Sequence, residues 1–248
     1  DPSPIFGGWP PPGGGDGTPG SLGAEAFIPD NGEWILPGAP VLEEILPSGT
    51  GVHTGTPIVM RFSESIASET LNGSFLVAPA KGGFPTIATV SRVGDGRLVV
   101  LLPQATLDSG VTYSVRVADG STITDMTGES FGQTGELVQF TTAESDPATP
   151  SVLMTFPPTA SLGQSAIGEI TTIFDRAMNE SSFTDTSFSI TVDGVAPTFD
   201  PAPAPLDISG GLFPTADTRV WRWISLNGSG ERESLGNSAL VEVALSTG

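Results

Sequence analysis

Few groups in this chain can do chemistry, and their types limit what it can be. It has one histidine and no cysteine. Thiol nucleophiles, disulfides, thiolate zinc sites and multi-imidazole metal centres are therefore excluded. His53 stands in Gly51-Val-His-Thr-Gly55 with no activated serine motif around it. A lone imidazole in a turn reads first as an ordinary loop residue. Asp108-Ser109-Gly110 has the outline of an aspartic-protease signature. That reaction needs two carboxylates sharing a proton, and the corresponding Leu235-Gly236 lacks the acid. Glu43-Glu44, Glu64 with Glu69, and Asp175 with Glu180 are acid pairs. Glycoside hydrolysis demands a defined carboxylate separation in a cleft, which spacing along strands does not establish. No catalytic residue and no cofactor are expected.

Oxygen chemistry is the better question. Asp119, Asp125 and Glu129 share one loop, and these acids are the candidates for a calcium ion. No Asp-x-Asp-x-Asp-Gly loop accompanies them, and Asp before Gly is a common turn former. Arg219-Val-Trp221-Arg222-Trp223-Ile224 is the most conspicuous surface candidate. On a strand, Trp221 and Trp223 share a face. Outward, they form a platform for a sugar or a protein; inward, they are sandwich core.

The elements that must carry these residues are short and extended. Ile58, Met60 and Phe62 alternate with Val59 and Arg61, and Val111, Tyr113, Val115 and Val117 alternate with Thr112, Ser114 and Arg116. Period two predicts half-buried strands. Gly94-Asp95-Gly96 predicts a tight hairpin tip, and the one helical turn expected is short, at 65–71. Leu107-x-x-Gly110-x-x-Tyr113 is the pattern of a sandwich corner, in which the only tyrosine of the chain enters the core and its hydroxyl returns to nearby backbone. The fold class is all-β.

Charge sets the partners. Nine basic residues face 28 acids, a formal charge of −19. Nucleic acid and anionic lipid surfaces are excluded without a basic patch. The longest apolar run, Leu98 to Leu102, is far below the roughly 20 residues of a membrane helix, and no basic and apolar leader is visible. A cysteine just before Asp1 would add a lipid anchor.

Composition divides the chain. Residues 1–40 hold ten glycines and nine prolines, five acids and no base, too little apolar surface to fold alone. Phe6, Trp9, Phe27 and Trp34 nevertheless stand in this extension as anchors for a partner chain. A β-unit follows over 41–142, a linker over 143–150, and a second unit over 151–248. The second repeats the first: Ile58-Val-Met-Arg-Phe62 returns as Ile170-Thr-Thr-Ile-Phe174, and Ser74-Phe75 as Ser187-Phe188. Residues 195–217, with five prolines, read as an insertion in it.

The first unit resembles the bacterial Ig-like domain of the S-layer-protein type. The residues that carry this are Pro47-x-x-x-Gly51-Val52, Ile58 to Ile66, Gly96-Arg97-Leu98 through Pro103, Leu107 to Val115, Thr124-Asp125-x-x-Gly128 and Val138-Gln-Phe140-Thr141-Thr142. Phe174-Asp-Arg-Ala-Met178, Ser187-Phe188 and Leu235 to Leu240 carry it into a second, C-terminally incomplete copy. The resemblance implies tandem sandwiches in a periplasmic or extracellular protein of the cell envelope. With no catalytic constellation, the expected role is structural: docking onto other protein chains of an envelope assembly. An accessory subunit of a membrane-associated complex, a carbohydrate-binding or adhesive module, and a non-catalytic fragment of a secreted hydrolase are the alternatives.

Overall fold

Alternation becomes strand wherever one face has a core to meet. The computed structural model describes residues 38–157, 169–182, 188–192, 212–214, 217–224 and 241–245. In the first unit the strands are β1 (Leu42–Leu46), β2 (Gly49–Val52), β3 (Ile58–Phe62), β4 (Phe75–Pro79), β5 (Ala88–Val93), β6 (Leu98–Pro103), β7 (Thr112–Val117) and β8 (Gly135–Thr142). They form two four-stranded sheets, ordered β1-β3-β6-β5 and β2-β8-β7-β4. All pairs are antiparallel except β2 with β8. The expected hairpin closes at Val93↔Leu98, with Gly94 and Gly96 at positive φ. The expected helical turn is a 3-10 turn at Ser68–Thr70.

Ile58, Met60, Phe62, Val99 and Leu101 point from one sheet to meet Val77, Tyr113, Val115, Val117 and Phe140 from the other. Phe131, from the loop before β8, closes this core edge-on against Phe62 at 5.3 Å.

The second unit begins with β9 (Val152–Phe156) and β10 (Glu169–Phe174) and continues with β11 (Phe188–Val192), β12 (Leu212–Pro214), β13 (Val220–Ile224) and β14 (Val241–Leu245). Its larger sheet runs β12-β13-β10-β9, and β11 pairs with β14. The order β9-β10-β13-β12 is that of β1-β3-β6-β5, and a 3-10 turn at Glu180–Ser182 follows β10 as one follows β3. Residues 212–214, expected within an insertion, are instead β12, paired with β13 at the sheet edge. Pro214 suits that place, because an edge strand tolerates a residue without an amide proton. Residues 195–211 lie outside the described ones.

The two units share a second core. β3 and β6 do not keep a wet outer face: Val59, Leu98 and Val100, pointing away from the first core, are buried against Met154, Phe156, Ile173 and Val220. The sheet β1-β3-β6-β5 is thus covered on both faces, which is why Leu98 to Leu102 is apolar without interruption.

Candidate functional site

The predicted corner forms. Tyr113 is buried, its ring lies 5.9 Å from Phe140, and its hydroxyl accepts from the Asp108 amide at 3.0 Å. Leu107 is buried beside it. Gly110 sits at φ +68 with the Glu144 carboxylate 2.6 Å from where a Cβ would stand. A side chain there would be strained by the positive φ and would have to push the Glu144 carboxylate aside. Asp108 and Ser109 are therefore turn residues of this corner, and its geometry accounts for the whole Leu107-to-Tyr113 motif.

The calcium candidates do not assemble. Among the described residues no group of three or more acidic or imidazole side chains is placed to hold a metal ion. Asp125 is only 2% exposed, and its carboxylate accepts from the Thr127 amide and hydroxyl and from the Glu129 amide, at 2.8 to 2.9 Å. Its oxygens are committed to closing a turn, while Asp119 and Glu129 are exposed. One of the acid pairs resolves into a structural role. Glu43 and Glu44 both reach Arg61, at 3.2 and 3.1 Å. The bulge between Leu42 and Glu44 brings consecutive side chains to one partner.

Trp221 and Trp223 are 1% and 0% exposed. They are not a surface platform. In β13, Val220 turns toward the first unit, so the alternate positions 221 and 223 face the other way, into the second unit. The Trp221 indole N–H donates to the Thr218 carbonyl at 2.6 Å. The proposed anchors Phe6, Trp9, Phe27 and Trp34 lie outside the described residues.

What the chain builds most fully is the seam between its units. Arg219, just before β13, donates to the Gly55 carbonyl at 3.1 Å and the Pro103 carbonyl at 3.2 Å, both in the first unit. Asp217 aligns that guanidinium from behind, its oxygens accepting from Nε and Nη2. The Arg219 hydrogen bonds hold the Asp217 carboxyl below the usual carboxylate range, against the opposing effect of burial. Phe156 lies in the same seam with the Arg97 guanidinium 5.0 Å from its ring centre, and Asp95 holds Arg97 at 2.7 Å. Burial pushes the Asp95 carboxyl up despite that charge.

The linker is tied at both ends. Asp146 accepts from the Thr54 amide at 2.8 Å and hydroxyl at 2.6 Å, and lies 3.5 Å from His53 Nε2. Arg176 donates to the carbonyls of Pro147 and Thr149, at 2.7 and 3.0 Å, and to Asp175. Asp175 also accepts from the Ser151 hydroxyl at 2.9 Å. Desolvation works against ionisation of Asp146 and Asp175. Thr54, His53 and Arg176 outweigh it at the first, Arg176 and Ser151 at the second, and both carboxyls fall below their ordinary values.

Thr54, His53 and Asp146 bring hydroxyl, imidazole and carboxylate together, yet not as a nucleophile and its base. The hydroxyl donates to a carboxylate whose basicity is lowered, and His53 Nδ1 accepts from the Gly55 amide at 2.8 Å. Nucleophilic activation needs the hydroxyl paired with a base that can take its proton. This cluster fastens the linker to the turn before β3. Sequence reading missed Asp146 because nothing local marks an acid whose partners stand 92 residues away.

The fold and its corner define the first unit as an immunoglobulin-type sandwich. Residues 38–142 match the bacterial Ig-like domain family. No curated protein matches the sequence. Among solved structures, surface layer protein SbsC, domains 1–6, is similar at 15% identity, over 84% of this chain and 24% of that one, with a TM-score of 0.35. The N-terminal part of the bacterial S-layer protein SbsC gives 14%, 84% and 40%, with a TM-score of 0.35. Titin Ig tandem domains A164–A165 give 10%, 84% and 95%, with a TM-score of 0.22. The chain thus spans about a quarter of the SbsC six-domain structure. Among the described residues, no helix is long and apolar enough to cross a membrane.

Proposed function

We propose that this chain is a non-catalytic structural and interaction protein of the bacterial cell envelope, periplasmic or extracellular. Its two units act as one stiff body that presents loops and edges to a larger protein assembly. The observation that carries this reading is the shared core, in which Val59, Leu98 and Val100 pack on Met154, Phe156, Ile173 and Val220. Domains meant to move independently have small, polar contacts; this one is apolar and cross-linked by Arg219. The common strand order supports reading 151–248 as a second Ig-like copy.

Attachment is assigned to residues 1–36. Phe6, Trp9, Phe27 and Trp34 are large rings on a proline-stiffened chain, and large rings concentrate binding energy at interface centres. The test compares the full chain with one lacking 1–36 in cross-linked envelope preparations. Co-sedimentation with a large assembly, lost on deletion while the melting of 41–142 is unchanged, is expected. Equal co-sedimentation of both forms would reduce the extension to a spacer and overturn this assignment.

A further inference from the structure

The loop over residues 80–87 joins β4 to β5, the edge strands of the first unit's two sheets on one side of the sandwich. At its tip Phe84 is 95% exposed and Ile87 is 70% exposed. These are the two largest exposures among the apolar side chains described, and they stand three residues apart. Isolated exposed apolar residues are ordinary; a phenylalanine held almost wholly in water is not.

The loop is held in place. The Ala80 amide donates to the Thr112 carbonyl at 2.8 Å, Gly82 to Pro79 at 3.0 Å, Thr86 to Val77 at 2.7 Å, and Gln104 to Ile87 at 3.0 Å. Gly82 and Gly83 take φ of +97 and +148, and a Cβ at Gly83 would sit 3.3 Å from the Pro79 ring. The chain uses glycine to turn sharply here and so aims Phe84 outward. A side chain already ordered for contact loses less freedom on binding.

Charge identifies what it contacts. Residues 70–94 contain no Asp or Glu, the longest such stretch in the chain, and they include Lys81, the only lysine, and Arg92. All 28 acids lie elsewhere in the chain. Two copies of a protein with a charge of −19 repel over most of their surfaces. At this edge a copy meets an acidic neighbour with two apolar side chains and a cation.

We propose that the Phe84–Ile87 tip is a contact between copies of this chain, seated on an acidic face of the next copy, with Lys81 beside its carboxylates. Tip and receiving face are different patches, so the contact is heterologous and builds rings or open arrays.

The test is sedimentation velocity on the full chain over a concentration series, with Phe84→Ser, Ile87→Ser and Lys81→Glu. A photo-cross-linking phenylalanine analogue at position 84, in a mixture of isotopically light and heavy protein, maps the receiver. The expected result is reversible association of the parent chain, weakened about ten-fold or more by Phe84→Ser and also weakened by Lys81→Glu. Cross-links should join light to heavy copies at an Asp- or Glu-bearing peptide. Phe84 is in water, so Phe84→Ser should melt as the parent does; if it melts lower, Ile87→Ser and Lys81→Glu carry the comparison. A parent chain that stays monomeric, variants that associate equally, cross-links only within one copy, or Phe84-dependent binding to phosphatidylcholine vesicles without self-association would each overturn the proposal.

Discussion

The Arg219 guanidinium, from the second unit, donates to the main-chain carbonyl of Gly55 in the first at 3.1 Å. A second N–H of the same group reaches the Pro103 carbonyl. One side chain of the second unit therefore ties both the turn before β3 and the end of β6 to it across the seam. Arg219→Ala should cost about 2 kcal/mol, the scale of hydrogen bonds made by a charged group. Calorimetry should show the single unfolding transition of the parent separating into two. A variant that melts as the parent does would mean the seam does not depend on this residue.

Phe156 carries the apolar part of the same contact. It is buried with Val59, Leu98 and Val100 and lies under Arg97. Phe156→Ala should lower stability by about 3 kcal/mol, as truncation of a buried ring does. Urea denaturation followed by tryptophan fluorescence is the measurement, since Trp221 and Trp223 lie in β13 of the same sheet.

At the corner, Tyr113→Phe removes only the hydroxyl that the Asp108 amide meets. The expected loss is about 1 kcal/mol or somewhat more, read from the denaturation midpoint at unchanged slope. The seam should stay intact, because the first core and the shared core lie on opposite faces of the sheet β1-β3-β6-β5.

Acid should loosen the molecule. Asp146, Asp175 and Asp217 are held below the carboxylate value of 3.8 in the folded chain. The unfolded chain then binds more protons than the folded one as pH falls past about 4. Stability from these groups is present above that value and is lost as pH drops through the folded ones. Asp95 has the opposite sign: burial raises it, so its protonation favours the folded state and offsets part of the loss. Denaturation midpoints from pH 6 to pH 3 should fall, and Asp217→Asn should flatten the slope.

Much of the first unit was legible because its signals are local. Period-two strands, the Gly94-Asp95-Gly96 tip and the Leu107-x-x-Gly110-x-x-Tyr113 corner each state their own structure within a few residues. The seam was not legible in that way. Val59 looks like a solvent-face residue of an alternating strand until Met154 and Phe156 are known to cover it. The one signal available was the unbroken run Leu98 to Leu102, which is too apolar for a strand with a wet side. Trp221 and Trp223 show the same limit. Alternation put them on one face, but which face was covered depended on Val220 meeting a core more than a hundred residues away in sequence. The candidate calcium acids failed for a different reason: proximity in sequence says nothing of the donors, here Thr127 and Glu129, that already occupy a carboxylate.

The central claim is that the two units form one stiff body, and it can be measured directly. The chain contains no cysteine, so Thr122→Cys and Ala177→Cys, both at exposed positions in different units, give two spin labels and no background. Double electron–electron resonance on the full chain should give one narrow distance distribution that broadens when Arg219→Ala is added. A broad distribution in the parent chain, unaltered by Arg219→Ala, would show two units swinging on a linker and would contradict the account.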